Sequence, residues 1–163
     1  MDIEQDLARI ALQEERLRFD RLDSTIAWEL GLALKGAADR CGAGVAIDIS
    51  THAQPLFCHY MAGTTPDNVE WVRRKRNVTF RFFRSSYAVG LALKRDGTNM
   101  VEKYGLGPDY MPHGGSFPIR LAGPTCIGAI TVSGLPQRED HDLLTRTLAE
   151  FLGLAAADIA LTS

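Results

Sequence analysis

Apolar residues return every three or four positions at Ile3, Leu7, Ile10 and Leu17, with Glu14, Glu15, Arg16 and Arg18 among them. That period predicts an amphipathic first helix. Phe19-Asp20-Arg21-Leu22 interrupts it. Asp23 or Ser24 can accept hydrogen bonds from the free amides of a second helix. Its apolar face is Ile26, Leu30, Ala33, Leu34 and Ala37, and it ends near Cys41-Gly42. The period then falls to two. Val45, Ile47 and Ile49 alternate with Ala46 and Asp48, which predicts a strand. Ser50-Thr51-His52-Ala53-Gln54 is a polar turn, and Pro55 opens a second strand from Leu56 to Met61, closed by Ala62-Gly63. So short a connection predicts an antiparallel pair.

Thr65-Pro66-Asp67 starts a third helix: a capping hydroxyl, proline at the first helical position, then an acid facing the helix dipole. It runs through Val69, Trp71 and Val72 into a basic stretch. Ser85-Ser86 caps a further helix, Tyr87 to Lys94, which Asp96-Gly97 stops. Residues 98–112 carry Gly105, Gly107, Pro108 and Pro112 and read mostly as loop, with a short strand at Met100 to Tyr104 as an option. Phe117, Ile119 and Leu121 alternate as a strand. The turn Ala122-Gly123-Pro124-Thr125 leads into Cys126 to Ser133, an antiparallel partner. Ile127 and Ala129 to Val132 are apolar on both faces, which predicts a central strand covered by helices, with Gly128 placed where a neighbouring side chain crosses. The last helix, about Glu139 to Ala157, buries Leu144, Leu148, Phe151 and Leu152. The order predicts an α+β layer protein.

At 163 residues the chain is read as one domain, residues 1–163, large enough to hold its own core. Its formal net charge of −2 offers no field to draw in nucleic acid or an acidic membrane surface. No apolar run is long enough for a membrane span. The acidic start, Met1-Asp2-Ile3-Glu4-Gln5-Asp6, lacks a basic, apolar leader, and the expected location is the cytoplasm. Cys41, Cys58 and Cys126 are an odd number at wide spacing, against a disulfide framework or zinc ribbon.

Glycine-rich corners bracket the two C-terminal strands, at His113-Gly114-Gly115 and at Gly134-Leu135-Pro136 before Asp140-His141. That layout reads as a small-molecule pocket at the edge of a sheet. Gly114-Gly115-x-Phe117-Pro118-Ile119, and Val132-Ser133-Gly134-Leu135-Pro136 followed by Asp140-His141, are the most specific pieces of a resemblance. With Trp71-Val72-Arg73-Arg74-Lys75-Arg76-Asn77 and Ser85-Ser86, the chain resembles, from about Leu7 to Leu152, a family related to the haem-degrading-domain (GlcG/HbpS-like) proteins. The resemblance implies a profilin-like three-layer sandwich, a central antiparallel sheet with helices on both faces, usually assembled into oligomers, and haem as a ligand of some relatives. It carries over no family-wide iron ligand. Tyr110-Met111-Pro112 departs from the smaller residues commoner there and alters the expected pocket entrance.

The resemblance and the residues together give a ligand-binding set of His113, Gly114, Gly115, Phe117, Arg74, Arg76 and His141. His113 precedes two glycines that leave room beside an imidazole able to ligate haem iron or transfer protons, or else merely to hold a turn. His141, between Asp140 and Asp142, is either an acid–base group oriented by a carboxylate or an exposed residue of a capped helix start. His59 reads as strand packing, and sequence does not decide whether His52 or His59 meets His113. Arg73, Arg74, Lys75, Arg76, Arg81 and Arg84 put six cations in twelve residues. They would hold haem propionates or another anion, or form ion pairs with the acid-rich first helix. Ser85-Ser86 lacks a nucleophile elbow, and neither glycine cluster matches a phosphate loop. No histidine spacing points to a metal site.

Three functions remain open: a cytoplasmic module binding haem or another planar or acidic small molecule, an oligomeric interaction protein without chemistry, and a small-metabolite enzyme using His113 or His141. The aromatic content of the third helix, Trp71, Phe80, Phe82 and Phe83, predicts a homo-oligomer, a dimer or a multiple of one.

Overall fold

The computed structural model describes residues 2–123 and 125–161, so Pro124 of the predicted turn lies outside them, as do Met1, Thr162 and Ser163. Among the described residues the order is α1 (Ile3–Arg16), α2 (Ser24–Arg40), β1 (Ala46–Thr51), β2 (Pro55–Tyr60), α3 (Pro66–Phe82), α4 (Ser86–Arg95), α5 (Met100–Tyr104), β3 (Ser116–Arg120), β4 (Cys126–Ser133), α6 (Gln137–Phe151) and α7 (Ala156–Ile159). The four strands form one sheet in the order β2-β1-β4-β3, and each neighbouring pair is antiparallel. α2 and α6 cover one face and α3 the other, giving the expected three layers.

The two faces of the sheet are unlike. Ile47 and Ile49 of β1, Phe117 and Ile119 of β3, and Ile130 and Val132 of β4 join Leu30 and Leu34 of α2 and Leu144 and Leu148 of α6 in the main core. Full burial of one such side chain contributes about 1.5–3 kcal/mol, so this layer supplies most of the stability. The opposite face carries Asp48, Ser50, Ser116, Thr131 and Ser133, all buried. Strand alternation puts them on one side, and Asp48 pairs with Thr131 and Ala46 with Ser133 across the β1–β4 ladder. The expectation that β4 is apolar on both faces thus holds on one. The polar face receives α3, whose Arg76 reaches Asp48 at 2.9 Å and Ser50 at 3.3 Å.

Gly128 answers a different constraint from the one expected. A Cβ there would lie 2.2 Å from the Ser50 carbonyl oxygen and 2.8 Å from Thr51 Cα, so the main chain of β1, not a side chain, needs the space.

Two helical expectations change. Met100 to Tyr104 is a helix, not a strand: Asn99 accepts hydrogen bonds from Val101 and Glu102 N–H, and Gly105 closes it at φ +66°. The last helix starts at Gln137 and stops at Phe151, with Gly153 at φ +73°, and α7 follows as a separate turn. The α3 aromatics are mostly used inside the chain. Trp71 meets His113, Phe80 meets His52 and Phe82 meets Tyr104; Phe83 is half-exposed. Exposed large apolar groups include Trp28 and Leu32 of α2, Tyr60 of the edge strand β2, Val69 of α3, and Val101 and Tyr104 of α5.

Candidate functional site

The segment from Gly105 to His113 is held by α3 and α4. Arg73 on α3 binds the Asp109 carboxylate at 2.8 Å, Asn77 donates to the Asp109 carbonyl at 3.0 Å, and Met111 N–H donates to the Arg74 carbonyl at 3.3 Å. On α4, Gly90 admits the Pro112 carbonyl, which a Cβ would meet at 1.9 Å. Ser86 then fixes the exit: its hydroxyl donates to the His113 carbonyl and accepts from Ser116 N–H at 3.0 Å. His113 is therefore a braced residue, with its ring 5.2 Å from Trp71 at 32°.

His113 stands between two cavities. One, about 800 Å³, lies between α4, α5 and the 105–113 segment. Leu91, Leu93, Met100, Leu106 and Met111 give it mostly apolar walls, and Tyr87 and Tyr110 bring rings. Its volume is within the range of about 300–1,000 Å³ usual for small-molecule sites. Lys94 lines it, exposed and without an ion pair among the described residues. The other cavity, about 250 Å³, is polar and bounded by Asp67, Asn68, Trp71, Lys75, Ser133 and Gln137 as well as His113.

Burial and, next, the Lys75 charge hold the His113 pKa below its ordinary value. Both influences favour the neutral imidazole, and no hydrogen bond engages either ring nitrogen among the described residues. Such a nitrogen can accept a proton or ligate a metal. Lys75 is itself buried. Its ammonium lies 2.7 Å from Asp140, which also accepts from Leu135 N–H at 3.0 Å and Gly134 N–H at 3.4 Å.

The other predicted site residues do not gather around His113. Gly114 and Gly115 leave no vacant space beside it: a Cβ at Gly114 would lie 2.0 Å from the Gln137 carbonyl oxygen, and one at Gly115, φ +122°, 2.3 Å from that of Val132. They let the chain pass against α6 and β4. Phe117 is fully buried in the main core. Arg74 faces Glu70 at 3.6 Å and Arg76 faces Asp48, and neither lines either of these two cavities. Arg84 lies 3.7 Å from Glu14 of α1, so the basic run is dispersed largely into ion pairs. His141 is 1% exposed and bonded at 2.8 Å to Gln13; it is not the exposed residue of a helix start. His52 packs on Phe80 and His59 lies beside Phe57. Trp71 and Phe80 are nine residues apart, about 13 Å along α3, so His113 and His52 stand apart.

Sequence reasoning passed over Lys75 as one cation among six, and over Tyr87, Gly90, Lys94, Ser133 and Gln137. One of these left a signal: Gly90 sits inside a predicted helix, where glycine costs stability unless something approaches closely.

The profile of the family described as "Haem degrading protein HbpS-like" matches residues 22–149. A UPF0303 protein of Rhizobium leguminosarum bv. trifolii is 58% identical over 153 residues, 93% of this chain and 92% of its own. A UPF0303 protein of Serratia proteamaculans is 53% identical over 156 residues, 95% and 97% of the two chains. Among solved structures, the crystal structure of the Ybr137w protein superposes with a TM-score of 0.85 at 28% identity, over 93% of this chain and 92% of that one. A PduOC:heme complex gives 0.68 at 16% identity, over 87% and 99%, a likeness of fold alone.

Proposed function

The chain belongs to the HbpS-like family of haem-degrading proteins, and from that premise we propose that it is a small-ligand-binding module whose ligand is haem or another planar molecule with acidic groups. The observation that carries this is the neutral, braced His113 on the wall of the 800 Å³ apolar cavity. The donor set fits haem: an imidazole without a hydrogen-bond partner for iron, apolar walls for the macrocycle, and the unpaired Lys94 at the rim for a propionate. Haem bound there would supply a redox-active iron. The residues of this chain would orient it and exclude water from one side. The fold of the PduOC:heme complex supports the reading.

Haem titration of the purified protein tests it. A saturable Soret band is expected, and His113→Ala is expected to remove its low-spin form without loss of the far-ultraviolet dichroism. No saturable change, or a band untouched by His113→Ala, excludes His113 as the iron ligand.

The same reading takes the chain as a cytoplasmic homo-oligomer. Cys41, Cys58 and Cys126 are all free, as a reducing compartment would keep them. Trp28, Leu32 and Tyr60 are exposed beside β2, an open edge of the sheet, and such surfaces commonly pair with another chain. No helix among the described residues is long and apolar enough to cross a membrane.

A further inference from the structure

We propose that the polar cavity beside Trp71 is a carbonyl-binding site, in which Lys75 captures a small polar aldehyde as an iminium ion with Asp140 as proton acceptor and counter-ion. This cavity is separate from the apolar one, and the inference does not require that haem bind.

Lys75 is 3% exposed, and its neighbours leave it one open direction. Its Nζ donates to Asp140 Oδ2 at 2.7 Å and approaches the Val132 carbonyl at 3.4 Å. An ammonium has three N–H bonds, and the third is left for the 250 Å³ cavity that Lys75 lines. Gly115 makes room for this ammonium, since a Cβ there would lie 2.9 Å from Nζ. Ser133 lines the same cavity from the polar face of β4. It is 4% exposed, and its hydroxyl makes no hydrogen bond with the described residues. A ligand oxygen in the cavity would give this hydroxyl a partner.

The other cations of the run differ. Arg73 and Arg76 meet their acids where water reaches the guanidinium. Arginine also stays charged, whereas a desolvated lysine can lose its proton and become a nucleophile. Burial is the largest influence on both partners here: it draws Lys75 down and Asp140 up, each towards its neutral form. The 2.7 Å contact opposes this by favouring the ion pair, but it is also the path along which a proton passes.

The step balances without an added reagent. The Lys75 ammonium gives one proton to Asp140. The freed amine attacks the aldehyde carbon, an N–C bond forms, and the carbonyl π pair moves to oxygen, which takes the proton back from Asp140. The resulting carbinolamine passes its second N–H proton to the hydroxyl. That group leaves as water while the nitrogen lone pair closes the C=N bond. The product is a protonated imine, one positive charge facing the Asp140 carboxylate as before. Asn68 and Gln137 on the walls suit a substrate with hydroxyl or amide groups, and the small volume limits it to a few heavy atoms.

The chain has four lysines, Lys35, Lys75, Lys94 and Lys103, so the test reads directly. The purified full-length protein is held at pH 7 with glycolaldehyde and cyanoborohydride, and the reduced adducts are located by peptide mass spectrometry over time. Lys75 is expected to label at least about tenfold faster than the other three lysines, because a desolvated amine is the better nucleophile, and the preference is expected to vanish in urea. Lys75→Met is expected to remove the fast adduct. Labelling confined to Lys35, Lys94 and Lys103 would overturn the proposal, as would equal rates at all four or a preference that survives unfolding. The wild-type map decides this even if the variant fails to fold, and no haem is present to confuse the two sites.

Discussion

His141 is neutral inside the protein because burial, and secondarily the Arg138 charge, pushes its pKa down to about 3. In the unfolded chain its ordinary value is 6.5. A depressed folded pKa means that the unfolded chain takes up a proton the folded one refuses. Its contribution is therefore complete above pH 6.5 and is lost as pH falls from 6.5 towards 3, by up to about 1.4 kcal/mol per pH unit. Urea unfolding of the wild type at pH 7 and pH 4.5 should show this loss, and His141→Gln should lose less over the same interval. Equal losses would mean that other groups set the acid limit. Sequence placed His141 at a helix start, where an exposed cap was an open reading. It could not show that Gln13, 128 residues away, waits opposite Nε2. His113 was legible as a candidate because it stands alone before two glycines. Lys75 was not, because six clustered cations look alike until each meets its own acid.

β4 shows what an element reveals and hides. Its length and centrality follow from an apolar run between turn residues, but Gly128 was assigned to a crossing side chain when the β1 main chain needs its space. Gly128→Val should cost about 1–3 kcal/mol through overpacking, read as a fall of several degrees in melting temperature. An unchanged melting temperature would mean that the β1–β4 ladder relaxes freely there. α5 was legible in its ends, Asn99 and Gly105, but not in its middle. Five residues span too little of a helical period to separate it from a strand. α6 began and ended earlier than its hydrophobic pattern because Pro136 and Gly153 outweigh periodicity at the ends.

At the scale of the whole molecule, light scattering at micromolar concentration should give a mass of twice 17.9 kDa, or a multiple of that dimer. A mass near 18 kDa would show a monomer and leave Trp28, Leu32 and Tyr60 as plain surface. The residues that motivated an oligomer from sequence, the α3 aromatics, turn out to pack mainly within the chain, because an aromatic's partners are set by what folds against its helix and not by its own hydrophobicity. The sequence by itself determined the order of nearly all the elements, the antiparallel hairpins, the helix caps at Asp23 and Ser85, and the layered α+β class. Each of these is local, fixed by periodicity, turn chemistry and capping within a few residues. Only the tertiary structure decided that one face of the sheet is polar, that the basic run is spent largely on ion pairs with Glu14, Asp48, Asp109 and Asp140, and that His113 stands between two cavities. Those facts depend on which side chains meet across dozens of residues, where burial and pairing rather than residue type set the charge and the chemistry.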